Sequence, residues 1–284
     1  MKDSSLGLPV SCRRVIQIYR GDGGDVVALA GVDLTIGPGE MVALVGPSGS
    51  GKSTLISLLA GLMRPSAGQV TIGAFDLGKL SDRDISRLRG TQMGVVVQGA
   101  DRNLLPYLTC ADNVALAQRR ARRASGVKMP APQEILALVG LAHSGHLRPG
   151  SLSPGARQRA ALAVGAATSP GLLLVDEPTS QLDVRGRDEV VDALFKLNEA
   201  HGSTIVVVTH DPEVGQRIGR AVTIRDGRVG AEGHRGRDFA VVAGDGTVQL
   251  SPEALAAFPP GTLFSVETGG EAVKLEAQRP RSAA

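Results

Sequence analysis

Positions 46 to 54 of the chain read Gly46-Pro47-Ser48-Gly49-Ser50-Gly51-Lys52-Ser53-Thr54, which fits the phosphate-loop pattern G-x-x-x-x-G-K-[ST] without a mismatch. The apolar run 41–45 before it predicts a buried parallel strand, and the periodic segment 55–62 after it predicts a helix. Glycines in such a loop let backbone N–H groups approach a phosphate, and the helix N-terminus favours an anion. Lys52 is then expected to reach the β- and γ-phosphates, and the Ser53 hydroxyl to ligate Mg²⁺. These nine residues therefore predict a site for a nucleoside triphosphate.

The composition is that of a folded chain with enough apolar residues for a core. Of 284 residues, 42% are hydrophobic and 21% are charged, which suits one large α/β domain or a main domain with an appendage. The net charge of +3 is too small to argue for nucleic acid, and an aromatic share of 2% leaves little for stacking on bases. We therefore expect no nucleic-acid partner.

The cysteines and the hydropathy both favour the cytoplasm. Cys12 and Cys110 are far apart and lack metal-ligand spacing, so we expect neither a disulfide framework nor a zinc site. The N-terminus lacks the apolar core of a signal peptide, and no stretch approaches the ~20 apolar residues that span a bilayer. If the protein serves a membrane process, we expect a separate polypeptide to cross the membrane.

Strand and helix signals alternate along the chain. The first strand signals, which Gly-rich turns separate, predict an antiparallel layer and lie at 14–19, 26–29 and 32–36. Later strand signals are mostly fully apolar and lie at 68–73, 94–98, 172–176 and 204–209. The helical patterns cover 113–168, with a break at 126–132, and 187–200. This alternation predicts a parallel sheet covered on both faces, whose ligand binds at the carboxyl ends of the strands. The residues that fall at those ends are Gly46, Gln98, Asp176 and His210.

The chain changes character after about residue 230. Short strand signals flank one helical turn at 252–258 and lie at 239–242, 247–250, 263–266 and 273–275. We predict a small β-rich C-terminal domain over 236–278 beside a main domain over 10–232, with flexible ends at 1–9 and 279–284. The order of elements in this tail loosely resembles the swapped-hairpin domains of transition-state regulators. Sparse Lys and Arg there favour packing against the main domain or a second subunit over DNA binding, and we expect a role in dimerisation or regulation.

Two adjacent carboxylates, Asp176 and Glu177, close the apolar run 172–175. At the end of a buried strand, Asp176 can reach Mg²⁺ directly or through water, and Glu177 can polarise a water beside the γ-phosphate. Taken alone, such a pair could also be a charged strand end that faces solvent. Beside a phosphate loop, the pair predicts hydrolysis of the nucleotide.

A helix is predicted to open at Leu152-Ser153-Pro154-Gly155-Ala156-Arg157-Gln158-Arg159. With the phosphate loop and Asp176-Glu177, this segment resembles the signature sequence of ATP-binding cassette (ABC) ATPases, whose usual form is L-S-G-G-Q-x-x-R. The resemblance covers about residues 15–230. It implies an α/β fold of the P-loop NTPase class, with an antiparallel β-subdomain, a RecA-like parallel-sheet core and an α-helical signature subdomain over about 100–168. The small β-rich tail would be an appendage to this fold.

The resemblance also implies roles for single residues. Gln98 stands at the Q-loop position, Ser180-Gln181-Leu182-Asp183 matches the D-loop, and His210 matches the switch histidine. Tyr19 has the spacing of the A-loop aromatic that stacks on adenine. The implied catalytic residues are Glu177, His210, Gln98 and Asp183, and the implied Mg²⁺ ligands are Ser53, Gln98 and Asp176. Each of these alone has a plainer reading as a surface or packing residue, but they occur together in the family's order.

A further implication is a dimer of cassettes, most simply a homodimer, that closes head to tail over two ATP molecules. Each ATP is then held by the phosphate loop of one chain and by Ser153 and Gly155 of the other. Pro154 replaces the first glycine of the signature and has no N–H to offer a phosphate, yet it suits the first helical position after Ser153 as N-cap. We expect the helix to form and its N-terminus to bind an anion through Gly155 and later amides, with a reduced affinity across the dimer. Gln181 also departs from the small residue usual in the D-loop.

Less specific cues resemble the lipoprotein-release and macrolide-export branch, whose ATPase works with a permease of the FtsX-like type. They include 65–68, 94–98 and 103–109, although Val97 stands where that branch often has phenylalanine. Cassettes meet the coupling helix of their permease near 103–109, and the predicted contacts there are Leu104, Leu105 and Tyr107. The protein is then expected at the cytoplasmic face of the membrane, attached through the permease. The substrate and the direction of transport are properties of that permease.

Two other classes of function stay open. Soluble cassette ATPases that act on ribosomes or DNA resemble tandem cassettes or carry long coiled coils, whereas this chain has one phosphate loop and no sustained heptads. A regulatory or binding module with a weakened nucleotide site is suggested by Pro154 and the tail. The intact catalytic residues favour an active ATPase over such a module.

Overall fold

Alternating strands and helices make up the chain, as the sequence predicts. The computed structural model describes residues 7–21, 24–125, 129–234, 237–242, 246–248, 250, 252–259, 262–270 and 272–277. In chain order, the elements are β1 (Val10–Tyr19), β2 (Val26–Ile36), β3 (Met41–Val45), α1 (Lys52–Leu59), β4 (Ala67–Ile72), β5 (Phe75–Asp76), α2 (Asp82–Thr91), β6 (Met93–Val96), α3 (Cys110–Ser125), α4 (Pro132–Leu138), α5 (Pro154–Gly165), β7 (Leu172–Asp176), α6 (Val184–His201), β8 (Thr204–Val208), α7 (Pro212–Ile218), β9 (Arg220–Arg225), β10 (Arg228–His234), β11 (Arg237–Ala240), α8 (Pro252–Ala257), β12 (Phe264–Gly269) and β13 (Ala272–Ala277).

An antiparallel sheet of order β2-β1-β4-β5 forms the first layer. The sequence predicts two strands at 26–29 and 32–36, but the structure has the single strand β2. Ile16 pairs with Ala30 and Val15 with Val32, so Gly31 is an extra residue in the ladder, and its φ of 89° is the left-handed conformation that glycine adopts easily. The glycine that suggests a turn is therefore a β-bulge.

A seven-stranded sheet of order β11-β10-β9-β3-β8-β7-β6 forms the centre of the molecule. The pairs from β6 to β9 are parallel, and β9, β10 and β11 are antiparallel to one another. All five residues of β8 are buried, as are the first four of β3 and of β7. This continuous burial is what a sheet covered on both faces requires.

Two hydrophobic clusters cover the opposite faces of this sheet. Successive residues of a strand point to opposite faces, and Leu173 and Leu174 of β7 accordingly belong to different clusters. One cluster joins the sheet to α3 through α7, and the other joins it to α1 and the antiparallel layer. The carboxyl ends of the parallel strands thus lie between the helices α3 to α7 on one face and α1 with the antiparallel layer on the other. The phosphate loop begins at this edge.

Three helices replace the one interrupted helical segment predicted over 113–168. They are α3, α4 and α5, and a turn-rich connection with a short 3₁₀ turn at Pro149–Ser151 separates the last two. The predicted break at 126–132 falls between α3 and α4, although residues 126–128 lie outside the described residues. Helix α2 has no counterpart among the predicted elements, although its N-cap Ser81 accepts a hydrogen bond from the Asp84 N–H at 3.2 Å.

Both ends of the main domain are tied to its sheets. The Leu8 N–H donates to the Gly171 carbonyl at 2.8 Å, and the Pro9 carbonyl accepts from Gly73, so these residues are hydrogen-bonded although a flexible end is predicted over 1–9. Strand β11 pairs with β10, so the first strand predicted for the tail is the edge of the central sheet. Residues 1–6 and 279–284 lie outside the described residues.

The described part of the rest of the tail contains one bridge, the helix α8 and one hairpin. Val242 and Val248 make one isolated bridge where the sequence predicts paired strands at 239–242 and 247–250. After α8, strands β12 and β13 form a two-stranded hairpin, and no other strand of the described residues pairs with it. Within the residues described, no helix is both long enough and apolar enough to span a membrane.

Candidate nucleotide-binding site

The phosphate loop joins the carboxyl end of β3 to the start of α1, as predicted. Gly46 has φ 146°, and a Cβ there would lie 2.1 Å from the Ile224 carbonyl oxygen. Gly51 has φ 101°, and a Cβ there would lie 2.5 Å from the carbonyl oxygen of Ala28. Both positions exclude a side chain because backbone of the neighbouring strands passes so close. The loop is therefore an open backbone cradle.

Lys52 is the first residue of α1 and is held inside this loop. Only 6% of the residue is exposed, and its Nζ donates to the carbonyls of Gly46 at 2.8 Å and Pro47 at 2.7 Å. Burial lowers the pKa of Lys52, and the charges of Glu177 and Asp176 oppose that shift. The Lys52 ammonium thus lies inside the loop, close enough to Glu177 and Asp176 for their charges to act on it.

Asp176 and Glu177 follow from the end of β7. The Oδ1 atom of Asp176 is buried and has no hydrogen-bond partner. Burial raises the pKa of Asp176, the charge of Glu177 raises it further, and the charge of Lys52 lowers it. The backbone turns sharply at Glu177, whose φ is 47° and whose N–H donates to the Val208 carbonyl at 2.9 Å. The two carboxylates are therefore fixed in position by the ends of β7 and β8.

His210 lies next to Glu177. Its Nδ1 is 2.8 Å from Glu177 Oε2, with the Glu177 side chain 12% exposed and the imidazole 64% exposed. The neighbouring backbone is anchored, because the Thr209 N–H donates to the Leu44 carbonyl at 3.0 Å. The Asp211 N–H donates to Thr209 Oγ1 at 3.0 Å, and the Asp211 carboxylate caps α7 by accepting from the Glu213 N–H at 2.9 Å. The structure thus brings Lys52, Asp176, Glu177 and His210 to one edge of the sheet.

Tyr19 lies beside the helix that follows the phosphate loop. Its hydroxyl is 3.3 Å from Thr54 Oγ1, and it pairs with Val26 across the β1–β2 ladder. Tyr19, Val26 and Val27 are all exposed. An aromatic ring with apolar neighbours at this place can take the face of a planar base.

The signature segment forms a helix as predicted, with Ser153 as N-cap of α5 and Pro154 as its first residue. The Ser153 hydroxyl accepts a hydrogen bond from the Ala156 N–H at 3.3 Å. Ala156 occupies the glutamine position of the usual L-S-G-G-Q-x-x-R form, a departure that the sequence reasoning overlooked. The helix N-terminus is intact, but it lacks one backbone donor and one side-chain amide.

This helix N-terminus and the phosphate loop line different cavities of the chain. Ser153 and Gly155 line a cavity of about 590 Å³ together with Gln181 and Asp183. Gln98, two residues beyond β6, lines another of about 540 Å³ with Pro154, Gln158 and Ser180. A third cavity of about 520 Å³ is lined by Gly46, Pro47 and His210. None of the residues just named for the other two cavities lines it.

Asp183 has a structural contact in the chain itself. It is the N-cap of α6, and its Oδ1 accepts from the Gly186 N–H at 2.8 Å. Gly186 in turn lies against Gly155, since a Cβ on Gly155 would be 3.2 Å from the Gly186 Cα. The start of α6 and the start of α5 are therefore packed together.

The predicted permease contacts differ in exposure. Leu104 is 5% exposed and belongs to the hydrophobic cluster of α3 to α7, so its prediction as a surface contact is wrong. Leu105 is partly exposed, and Tyr107 is 66% exposed. Asn103 accounts for the loop conformation, because its side chain accepts from the Val97 N–H and donates to the Val97 and Gly99 carbonyls. The presence of apolar residues in this loop therefore did not show which of them is buried and which is exposed.

Sequence reasoning also missed residues that support the site. Gly227, in the turn between β9 and β10, donates its N–H to the Ser50 carbonyl at 3.1 Å and so braces the phosphate loop. Thr209 and Asp211 hold the backbone around His210. The pair Asp211-Pro212 carried a signal, since Asp followed by Pro is typical of an N-cap and first helical residue. Gly227 carried none beyond that of an ordinary turn.

Comparisons with known proteins agree with this geometry. Residues 29–180 match the family described as ABC transporter. The chain is 43% identical over 213 residues to the lipoprotein-releasing system ATP-binding protein LolD of Anaeromyxobacter dehalogenans, covering 75% of this chain and 88% of that protein. It is 39% identical over 225 residues to LolD 1 of Rhodospirillum rubrum, covering 78% and 99% respectively. Among solved structures, it resembles the dimeric post-hydrolysis state of the ATP-binding cassette MJ0796 bound to ADP and Pi, with a TM-score of 0.71, 34% identity and coverage of 81% of this chain and 100% of that one.

Proposed function

The chain belongs to the ABC transporter family, and from that premise we propose that it is the ATP-binding and hydrolysing subunit that powers a separate transmembrane permease. Two copies close over two ATP molecules, and hydrolysis reopens them. The observation that carries this proposal is the convergence of Lys52, Asp176, Glu177 and His210 at one edge of the central sheet. A chain with a vestigial nucleotide site would have no need to keep these four groups together.

We assign the chemistry to the groups at this edge. Lys52 exchanges its two carbonyl partners for phosphate oxygens of ATP, and the backbone cradle of residues 46–54 holds the same phosphates. Glu177 accepts a proton from, or orients, the attacking water, and His210 keeps the Glu177 carboxylate in place through their hydrogen bond. Gln98 of the same chain and Asp183 are assigned as further catalytic residues.

Mg²⁺ fits the donor set of the site. The buried Oδ1 of Asp176 lacks a hydrogen-bond partner, and an acceptor of this kind is satisfied by a cation. We assign the hydroxyl of Ser53 and the amide oxygen of Gln98 as further ligands. When bound, Mg²⁺ offsets the negative charge of the phosphate oxygens and polarises the phosphoryl group that is transferred.

The remaining contacts to ATP come from two places. Tyr19 is assigned to the adenine face, supported by its exposure and by its contact with Thr54 next to the phosphate loop. Ser153 and Gly155 are assigned to the γ-phosphate of the partner chain's ATP, supported by their separation from the phosphate loop of their own chain. Each site is then composite, and a monomer is a poor ATPase.

The decisive test is Glu177→Gln. This change keeps the shape of the side chain and removes its charge, so we expect Mg²⁺-dependent ATP turnover of the purified full chain to fall below detection while ATP still binds. Glu199→Gln, on the exposed face of α6, is the matched control and should keep normal turnover. If wild-type chain reconstituted with its permease released no phosphate from ATP, the assignment of an ATPase would be wrong.

We place the protein at the cytoplasmic face of the membrane, bound to a permease of the FtsX-like type. The similarity to two lipoprotein-releasing ATP-binding proteins supports this branch. Tyr107, and Leu105 beside it, are the proposed contacts with the permease, because Tyr107 is exposed in the loop before α3. The expected result is that Tyr107→Ala leaves turnover of the isolated subunit unchanged and weakens its co-purification with the membrane protein encoded next to it. Equal recovery of both forms would argue against this contact.

A second candidate function, a regulatory module with weak hydrolysis, is favoured by one observation. Pro154 and Ala156 together remove two donors from the helix N-terminus that is proposed to grip the partner's ATP. The Glu177→Gln comparison separates the two functions, because a module without turnover would show no difference between wild type and variant.

We propose that the tail after residue 236 supports dimerisation or regulation. The apolar face of the β12–β13 hairpin, Phe264, Val266, Thr268, Val273, Leu275 and Ala277, lies on one side of the ladder and is largely exposed. A two-stranded hairpin gains its stability from whatever covers such a face. Truncation after Arg235 is expected to weaken ATP-dependent dimerisation in sedimentation experiments. Unchanged dimerisation and turnover in the truncated chain would contradict this role.

A further inference from the structure

His210 depends on its backbone for its position. Its imidazole is mostly exposed, and its one side-chain hydrogen bond among the described residues is the bond to Glu177. A ring with so few contacts of its own keeps its orientation only if the residues on either side are fixed. Thr209 and Asp211 supply that anchoring from within the loop.

Arg187, on the first turns of α6, reaches this loop from outside. Its Nη1 lies 3.3 Å from Asp211 Oδ2, its Nη2 contacts the carboxylate of Glu213, and its Nε lies 3.8 Å from Asp188 Oδ1. The Arg187 side chain is 19% exposed and that of Asp211 is 25% exposed. This pair is therefore screened less by water than an ordinary surface ion pair, and its geometry is more restrained.

The same arginine is connected to the segment that precedes α6. The Arg187 N–H donates to the Asp183 carbonyl at 2.9 Å, within the helical turn that Asp183 caps. Arg187 thus links residues 180–183 with the loop that carries His210, although no side chain of 180–183 touches His210 among the contacts described. Asp188 has a second cationic partner in Arg217, but Asp211 and Glu213 are both paired with Arg187. Without Arg187, these two carboxylates would face each other uncompensated, and their repulsion would act on the loop.

We propose that Arg187 is a positioning residue for hydrolysis, whose ion pair with Asp211 keeps His210 in hydrogen-bond contact with Glu177. The inference rests on the proposed roles of Glu177 and His210. Arg187 contacts neither ATP nor water in this scheme and acts only through the loop. Its loss should therefore slow turnover without weakening the binding of ATP.

The test compares Arg187→Met with Arg217→Met in the full-length chain. Arg217 also joins α7 to α6, through two ion pairs, with Asp188 at 2.8 Å and with Asp192 at 2.8 Å, and neither of them involves Asp211. We expect Arg187→Met to lower kcat roughly tenfold. This loss is part of the roughly 10²–10⁴-fold rate enhancement that a positioned acid or base contributes. The dissociation constant for ATP should stay within about twofold of the wild-type value. Arg217→Met should change neither quantity, and Arg187→Lys should recover part of kcat.

A double-mutant comparison adds a readout that a general packing defect would not move. Asn is a good N-cap, so Asp211→Asn keeps the cap of α7 while removing the charge that Arg187 pairs with. If the pair is the route to His210, Arg187→Met and Asp211→Asn together slow turnover no more than the worse single change. Multiplied losses would overturn the proposal, as would a normal kcat in Arg187→Met, an equal loss in Arg217→Met, or a matching loss of ATP affinity. Glu177→Gln tests the proposed function separately, since it should abolish turnover whether or not Arg187 matters.

Discussion

Asp176 destabilises the folded chain, because its Oδ1 atom is buried and has no hydrogen-bond partner. Its raised pKa expresses the same cost, since burial and the nearby charge of Glu177 both disfavour its ionised form. Lys52 moves the pKa in the other direction but does not cancel the burial effect. Asp176, which is proposed to hold Mg²⁺, thus lowers the stability of the chain when no Mg²⁺ is bound.

We therefore predict that Asp176→Asn abolishes turnover and raises the Tm of the nucleotide-free chain at pH 7. The folded chain holds this proton more tightly than the unfolded chain does, so ionised Asp176 costs its full amount above the folded pKa. That cost disappears as the pH falls through the folded pKa towards the ordinary value of 3.8. Thermal melts from pH 7 downwards should show the advantage of the variant shrinking. A wild type that is the more stable form at pH 7 would contradict this.

At the residue scale, the sequence predicts the groups that carry a motif. Gly46, Asp176 and His210 lie at the carboxyl ends of neighbouring parallel strands, as predicted, because each apolar run before them becomes β3, β7 or β8. Gln98, predicted to join them, lines a different cavity. The ion pair of Arg187 could not be predicted from the sequence. An arginine on a helix is equally compatible with an exposed position, and its partner Asp211 lies 24 residues away. Contacts of this kind depend on the packing of two helices, which a single sequence does not reveal.

In the proposed function, the N-terminus of helix α5 contacts the ATP that is bound to the partner chain. Its N-terminus is capped by Ser153 and begins with Pro154, whose fixed φ favours the first helical turn. Helix α4 begins in the same way, with Pro132 as its first residue after Ala131. The two prolines therefore offer a matched pair for separating the stability of a helix start from the binding of a phosphate.

We predict that Pro154→Gly and Pro132→Gly each lower the free energy of unfolding by about 0.4–1 kcal/mol, because glycine frees the unfolded chain. Only Pro154→Gly adds an N–H at the proposed phosphate contact, so only it should tighten the ATP-dependent dimer. The measurement is sedimentation equilibrium with ATP, in the Glu177→Gln background so that ATP persists. Equal dimer affinity for the two glycine variants would show that position 154 does not face the nucleotide.

Boundaries of elements were harder to predict than their types. Gly31 suggests a turn and is a bulge within β2, because a bulge and a turn both use the left-handed conformation of glycine. In the tail, the first predicted strand exists but pairs with β10 rather than with another tail strand. The alternation of apolar residues specifies that a strand forms, and not which strand lies beside it.

At the scale of the whole molecule, the residues proposed to bind ATP fall into two groups. Lys52 of the phosphate loop lies near Asp176 and Glu177, whereas Ser153 and Gly155 line a cavity to which the phosphate loop does not contribute. In a twofold-symmetric dimer, the same two surfaces meet twice, so each chain would complete the site of the other.

Mixing two inactive variants tests this arrangement. Lys52→Ala and Ser153→Arg each disable both sites of a homodimer, but a mixed dimer has one site with both residues intact. An equal mixture should therefore recover roughly a quarter of wild-type turnover, since half of the dimers are mixed and each has one working site. A mixture of Lys52→Ala with Glu177→Gln is the control and should recover nothing, because those two residues belong to the same half. Failure of the first mixture would argue that the sites are not shared between chains.

The parallel pairing of β3 with β8 also has a consequence for how the chain is made. Met41 pairs with Ile205 and Ala43 pairs with Ala221, so the central strand of the sheet meets its partners late in synthesis. At translation rates of 5–20 residues per second, β3 leaves the ribosome roughly 8 to 30 s before β8 does. During that interval, an apolar strand needs temporary cover from the growing chain or from a chaperone. The nascent cassette should therefore bind chaperones most strongly before residue 225 has emerged, and its native protection from protease should appear only afterwards.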